Sequence, residues 1–162
     1  MKQFFQSYYF TTRLYLGAGI LGFLFLLSYG LPWLFYPAEI LTYLLLVAVF
    51  GDSVVLFLKR KLVSAERSSA EKFSNGDENS VKIVVESSYN FLVRIRVIDE
   101  LPKQFQMRGQ VFEAGLEPFK SVIFHYNLRP IKRGAYLFGC INVFVQTKLG
   151  LVQRRYQEGK ES

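Results

Sequence analysis

Two long apolar runs separated by a pair of prolines occupy the first 58 residues, and that arrangement leaves few ways to fold. From Leu14 to Leu31 every residue is apolar, aromatic, small or hydroxylic, a stretch of about 27 Å at the helical rise of about 1.5 Å per residue. Pro32 and Pro37 bracket Trp33, Leu34, Phe35 and Tyr36; they interrupt a helix twice and place amphipathic rings where a bilayer interface accepts them. Ala38 to Leu58 then runs for about 31 Å if helical, with Glu39 at its entrance and Asp52 inside. The pattern predicts two transmembrane helices, over about residues 14–31 and 38–58, forming a helical hairpin within residues 1–61. No small-x-small cleavage site follows the first run and a second run does, which argues against a removed signal peptide.

Charge orients this hairpin. Before Lys59 the charged residues are Lys2, Arg13, Glu39 and Asp52, so the net charge of +7 belongs to the remainder of the chain. Lys2 and Arg13 flank the first run, Lys59, Arg60, Lys61 and Arg67 follow the second, and the loop between has no basic residue. Basic flanks stay on the cytoplasmic side, which predicts a multi-pass protein with both termini in the cytoplasm and the lipid bilayer as its first partner. Asp52 lies six residues before Leu58, about 9 Å into the second run. A carboxylate at that depth is costly; Arg13 at the same edge is within reach by snorkelling, which makes Arg13 and Asp52 the candidate intramembrane pair, the alternatives being a carboxylate that reaches a water defect or pairs with a neighbouring chain. Ala18 and Gly22 have the small-xxx-small spacing that permits close helix approach.

Beyond the second run the composition shifts. Residues 62–80 read as a linker rich in Ser, Glu, Lys, Asn and Gly; Lys59 to Lys72 has helix-forming composition that would extend the second span, and Asn75 to Asn79 is a turn cluster. From Val81 the apolar period becomes two. Val81, Ile83 and Val85 share one face, as do Phe91, Val93, Ile95 and Val97, then Val122, Phe124, Tyr126 and Leu128, and then Ile141, Val143 and Val145 within a strand from Tyr136 to Gln146. A last strand ends near Tyr156. Five or six strands without an amphipathic helix predict a small antiparallel β-sandwich over residues 81–157, with residues 158–162 as a tail. About 80 residues bury a modest core.

The residue inventory restricts the chemistry. There is one His and one Cys, and a single Cys gives no disulfide framework. His125 has the outward parity of its strand, and Cys140 reads as a small packing residue. Asp99 and Glu100 are adjacent and point to opposite sides of a strand. Gly17, Gly19 and Gly22 match a dinucleotide fingerprint in letters alone, because no strand precedes them. No catalytic, cofactor-binding or metal-binding residue is assigned, and the expected protein is not an enzyme. The basic residues Arg94, Arg96, Arg129, Lys132, Arg133, Arg154 and Arg155 are scattered over strands and turns, which does not make a nucleic-acid surface. Arg129, Lys132 and Arg133 lie on a turn shaped by Pro130 and Gly134 and are the candidates for contact with a protein partner.

The residues Leu128, Arg129, Pro130, Arg133, Gly134, Tyr136, Phe138, Gly139, Val143, Leu149, Gly150 and Leu151, with Asp99, Leu101 and Pro102 upstream, resemble the pattern of the bacterial membrane proteins carrying the domain of unknown function 58. The order of two apolar spans and a short sandwich-like region is similar too. In that family the sandwich-like region leads into a cytoplasmic domain similar to von Willebrand A domains, and the genes often neighbour MoxR-type AAA ATPases. This chain ends before such a domain, as an N-terminal fragment or a shortened product would. The resemblance implies a bacterial inner-membrane location and a non-enzymatic accessory or assembly role, with a MoxR-type AAA ATPase and other membrane proteins of its assembly as partners and no cofactor. The alternative is a membrane enzyme or transporter subunit that uses the intramembrane Asp52.

Overall fold

The computed structural model describes residues 7–58, 62–69, 76–102, 110–130, 136 and 138–159. The chain divides into two compact units, one of Met1–Arg60 with Gln146–Arg154 and one of Lys61–Val145 with Arg155–Ser162.

The first unit is helical. A short strand β1 (Tyr8–Phe10) precedes helix α1 (Thr12–Ser28); a single 3-10 turn (Pro32–Leu34) leads into α2 (Phe35–Phe57). Leu31 is outside the helical region, with φ −129° and ψ 82°, in line with the steric bias that a following proline imposes. Pro37 does not delay the second helix to Ala38. It sits in the first turn of α2, where a backbone N–H has no intrahelical acceptor to lose. The two helices run antiparallel, since their contacts pair rising with falling residue numbers: Tyr8 reaches Ser53 at 2.8 Å, the space over Gly17 meets Leu45, and the Phe25 and Phe35 rings are 5.9 Å apart. Gly17 faces Leu45 across the hairpin with room for an ordinary contact, whereas Gly22 of the expected Ala18 and Gly22 pair faces open space. Pro32–Phe57, at 26 residues, is long and apolar enough to cross a membrane; Thr12–Ser28 is a shorter apolar helix of 17 residues. Apolar side chains cover both helices on their outer sides: Tyr15, Leu16, Ile20, Phe23 and Leu26 on α1, and Ile40, Leu44, Val47 and Phe50 on α2, are all exposed.

The second unit is made of antiparallel strands. One sheet has the order β2 (Val63–Ser69), β3 (Asn79–Ser87), β6 (Ser121–Leu128), and the other places β4 (Val93–Asp99) between β5 (Gln110–Leu116) and β7 (Ile141–Gln146), with the end of β8 (Val152–Glu158) beyond β7. The expected alternation sets the core: Val81, Ile83 and Val85 of β3, Val93, Ile95 and Val97 of β4, and Ile141, Val143 and Val145 of β7 are buried. Phe112 of β5 stacks on Phe124 of β6 with centroids 5.0 Å apart, so the inner faces of the two sheets meet as a β-sandwich.

Three boundaries differ from the sequence reading. Residues 63–69, read as linker with helical composition, are strand β2, paired antiparallel with β3 from Val63↔Ser87 to Ser69↔Val81. Its alternation was masked by small and polar side chains, yet Val63 and Ala65 are buried. The long strand expected from Tyr136 begins only at Ile141. Residues 110–116, which the sequence reading did not resolve into a clear strand, form a regular one, β5, in register with β4 from Val93↔Leu116 to Asp99↔Gln110.

Candidate functional site

Asp52 is placed on α2 five residues before the helix ends at Phe57, and it is only 2% exposed. What covers it is a tight turn, Thr147–Leu151, between β7 and β8. One carboxylate oxygen accepts the Thr147 hydroxyl; the other accepts the backbone N–H groups of Leu151 and Val152, each at 3.0 Å. The Thr147 oxygen in turn accepts the Gly150 N–H at 3.3 Å. Gly150 has φ +63°, a left-handed conformation that favours glycine, and an added Cβ there would lie 3.2 Å from the Arg13 guanidinium. A carboxylate accepting backbone N–H groups makes short, charge-assisted bonds, so the charge of Asp52 is spent on fixing the shape of this turn.

The start of α1 holds the same turn from its other side. Thr11 is extended ahead of the helix and makes no cap bond with its side chain, because its hydroxyl donates to the carbonyls of Gly150 at 2.6 Å and Leu151 at 3.0 Å. The Thr11 N–H also donates to Leu151 O at 3.2 Å. Arg13 donates to Leu149 O at 3.2 Å. The candidate pair is therefore corrected: Arg13 and Asp52 do not bond each other, and each binds the turn instead. Sequence spacing brought the two residues to the same end of the hairpin, but the turn that occupies the gap comes from a segment about 95 residues further on. Next to it, the β1 strand pairs with β8 from Tyr8↔Arg154 to Phe10↔Val152. Arg154 donates to Leu56 O at 2.7 Å, satisfying a carbonyl of the last helical turn, and stacks over the Phe57 ring at 4.8 Å.

The sandwich holds a second polar constellation, centred on Asp99, which is fully buried. Arg67 of β2 reaches it with two nitrogens, Nε at 3.1 Å and Nη2 on the other oxygen, and Nη2 also donates to Gly139 O at 3.1 Å. Tyr126 of β6 donates to Asp99 at 2.5 Å. The Arg67 guanidinium lies 4.6 Å from the Phe138 ring centre. Burial, followed by the hydrogen bond to Asp99, pushes the Tyr126 phenol far above its ordinary range, so it remains a donor. Gly139 is required where it stands: an added Cβ would be 2.7 Å from Glu100 Cβ. This cluster joins β2 and β6 of one sheet to β4 of the other. The sequence reading missed it, although Arg67, Asp99 and Tyr126 all have the inward parity of their strands.

The remaining candidates are apart from these clusters. Arg129 is exposed and its Nε donates to Gly76 O at 2.5 Å, while the Gly76 N–H donates to Pro130 O at 2.9 Å; the residue thus braces the turn before β3. Lys132 and Arg133 lie outside the described residues. His125 is exposed on β6, and Cys140 is half-buried and reduced. Asp99 and Glu100 do face opposite ways, with Glu100 accepting from Asn142 at 2.6 Å. Among the described residues no group of three or more His, Cys, Asp or Glu could hold a metal ion.

No protein-family model matches the chain, and no curated protein matches it significantly. Among solved structures, the PapD-like domain 7 of human CEP192 is similar with a TM-score of 0.42 and 16% identity, over 64% of this chain and 88% of that one. The CARDB domain of PF1109 from Pyrococcus furiosus, solved in complex with di-metal ions, gives 0.39 and 11%, over 62% and 96%. A β-glucosidase from Listeria innocua gives 0.28 and 10%, over 60% of this chain and 16% of the enzyme. Likeness at this level carries no conclusion about activity.

Proposed function

We propose that this chain is a membrane-anchored accessory protein: α1 and α2 cross a bacterial inner membrane as a hairpin, both termini face the cytoplasm, and the β-sandwich contacts protein partners. The observation that carries this reading is the outer surface of the hairpin. Apolar side chains are exposed around both helices, a pattern that water penalises and lipid accepts. Rings gather at the two ends: Tyr8, Phe10, Tyr15 and Phe57 at one, and Phe25, Phe35 and Tyr36 at the other, beside the exposed Tyr29 and Trp33. The helical rise between Tyr36 and Phe57 is about 31 Å, close to the thickness of a bilayer core of about 30 Å. The resemblance to the domain of unknown function 58 proteins supports a MoxR-type AAA ATPase as the partner and Arg129, Lys132 and Arg133 as contact residues. Asp52 serves this role as an anchor for the β7–β8 turn, with both oxygens engaged.

Topology is tested in intact cells on a Cys140→Ser background with an impermeant thiol reagent. Leu34→Cys should be labelled and Glu161→Cys should be protected until the cells are opened; labelling of Glu161→Cys in intact cells, or protection of both, would sink the hairpin. The partner is tested by a photo-crosslinking residue at position 129 of the full chain, co-expressed with a MoxR-type ATPase from the same genome. An adduct with the ATPase is expected, and its absence from that position and from positions 132 and 133 would reject the ATPase link.

A further inference from the structure

The end of the helical unit that carries β1 and the β7–β8 turn presents an apolar collar with two exposed cations in it. Phe10, Tyr15 and Leu16 are exposed around the start of α1, and Leu149 is 58% exposed at the tip of the turn. Lys148 is exposed beside Leu149, and Arg13 is exposed at the first turn of α1. The Arg13 guanidinium is not loose: its bond to Leu149 O uses one of five donors on a side chain that is otherwise exposed. Asp52, the acid that the described residues place beside this turn, is buried under it with its oxygens taken by Thr147, Leu151 and Val152.

The turn itself is rigid on both flanks, through Asp52 on α2 and Thr11 ahead of α1. A leucine held outward on a fixed turn next to two cations is an amphipathic surface. Lipid suits it on both counts: acyl chains take Leu149 and the rings, and a phosphate takes Arg13 and Lys148. We propose that the β7–β8 turn and Arg13 form a contact site for the phosphate of an anionic lipid headgroup, with Leu149 dipping into the boundary between headgroups and acyl chains. The site rests on the reading of α1 and α2 as a membrane hairpin, and it adds to that reading a lipid preference residing in Arg13 and Lys148.

The test uses the full chain with Trp33→Phe and Leu149→Trp, reconstituted in vesicles of phosphatidylglycerol and phosphatidylcholine at equal mole fractions. One or the other lipid carries brominated acyl chains. The tryptophan at 149 should emit at short wavelength and be quenched several-fold more by brominated phosphatidylglycerol than by brominated phosphatidylcholine. Each basic group near an anionic surface contributes about fivefold, so Lys148→Gln should reduce the difference and Arg13→Gln with Lys148→Gln should abolish it. Lys148→Gln leaves every bond of the turn in place, which separates loss of charge from loss of fold. Equal quenching by the two lipids with Arg13 and Lys148 intact would overturn the headgroup site. Quenching at 149 by aqueous iodide alone, with native Trp33 of the parent chain quenched by brominated lipid, would overturn the turn contact and leave the hairpin standing. If Trp33 too escapes brominated lipid, the hairpin reading fails and the site falls with it.

Discussion

Asp52 shows how a single charge within an apolar helix can be satisfied by backbone. Its three donors come from one turn, so Asp52→Asn, which sets an amide NH2 against N–H or hydroxyl donors, should cost about 1.5–3 kcal/mol, read as a lowered melting temperature in detergent or nanodiscs. The charge swap Arg13→Asp with Asp52→Arg should not rescue it, because the two residues bind different groups of the turn; recovery of stability in the swap would contradict the geometry. Tyr126 is governed by the opposite protonation logic. Its folded phenol is raised above the ordinary value by burial and by Asp99, so its contribution is fully present below pH about 10 and is lost as pH rises beyond that. The stability difference between the parent chain and Tyr126→Phe should therefore shrink above pH 10 by up to about 1.4 kcal/mol per pH unit, measured by denaturant titration; a difference constant to pH 11.5 would contradict the assignment.

At the scale of elements, strand β2 is the piece that most changes the picture of the sandwich. It pairs along its full length with β3 and delivers Arg67 to the buried Asp99. Removing one partner of a buried pair strands the other, so Arg67→Ala should cost about 3–5 kcal/mol. Replacing both, as Arg67→Met with Asp99→Leu, should cost less than Arg67→Ala alone, because the Tyr126 hydroxyl and Gly139 carbonyl it leaves unpaired cost less than an uncompensated buried charge. A double variant as unstable as the sum of its parts would show that the pair does not act as a unit. The same parity rule that located the apolar core also marks these polar residues: Asp99 continues the series Val93, Ile95, Val97, and Tyr126 continues Val122 and Phe124. Read for polar as well as apolar side chains, the alternation contained the ends of this cluster. It could not supply Arg67, whose strand has Ser64, Glu66 and Ser68 on its outer face and little apolar contrast.

For the whole molecule, the division into units sets where the chain can be cut. Val152–Arg154 of β8 belongs with the helices and Arg155 onward with the sandwich. A fragment of residues 62–159 retains β2 and the partner of Asp99, whereas one of residues 72–159 removes them. The longer fragment should therefore give a strand-rich circular dichroism spectrum with the sharper and higher melting transition. Equal melting of the two would show that β2 contributes nothing to the sandwich. Both fragments lack the helical partners of the β7–β8 turn, so they differ by β2 and the residues up to 71 and nothing else.

The length of two uninterrupted apolar runs determined the two helices, and period-two alternation determined the strands with strong contrast, β3, β4, β6 and β7, because local apolar spacing depends only on which side of a strand is buried. Proline positions fixed the place of the break between the helices, though not the helix start, since a proline is tolerated in a first turn. Three things were left to tertiary structure. One is the strand nature of residues 63–69, where pairing with β3 overrides a helix-forming composition. Another is which small residue of α1 faces α2, Gly17 toward Leu45 and not Gly22, which depends on how each helix is rotated about its axis. The last is the set of partners of Asp52, Arg13 and Asp99: Val152, Leu149 and Arg67 arrive from segments 32 to 136 residues away. A charge in the sequence states that it needs a partner when buried, but the identity of that partner is a property of chain topology, and no local pattern encodes it.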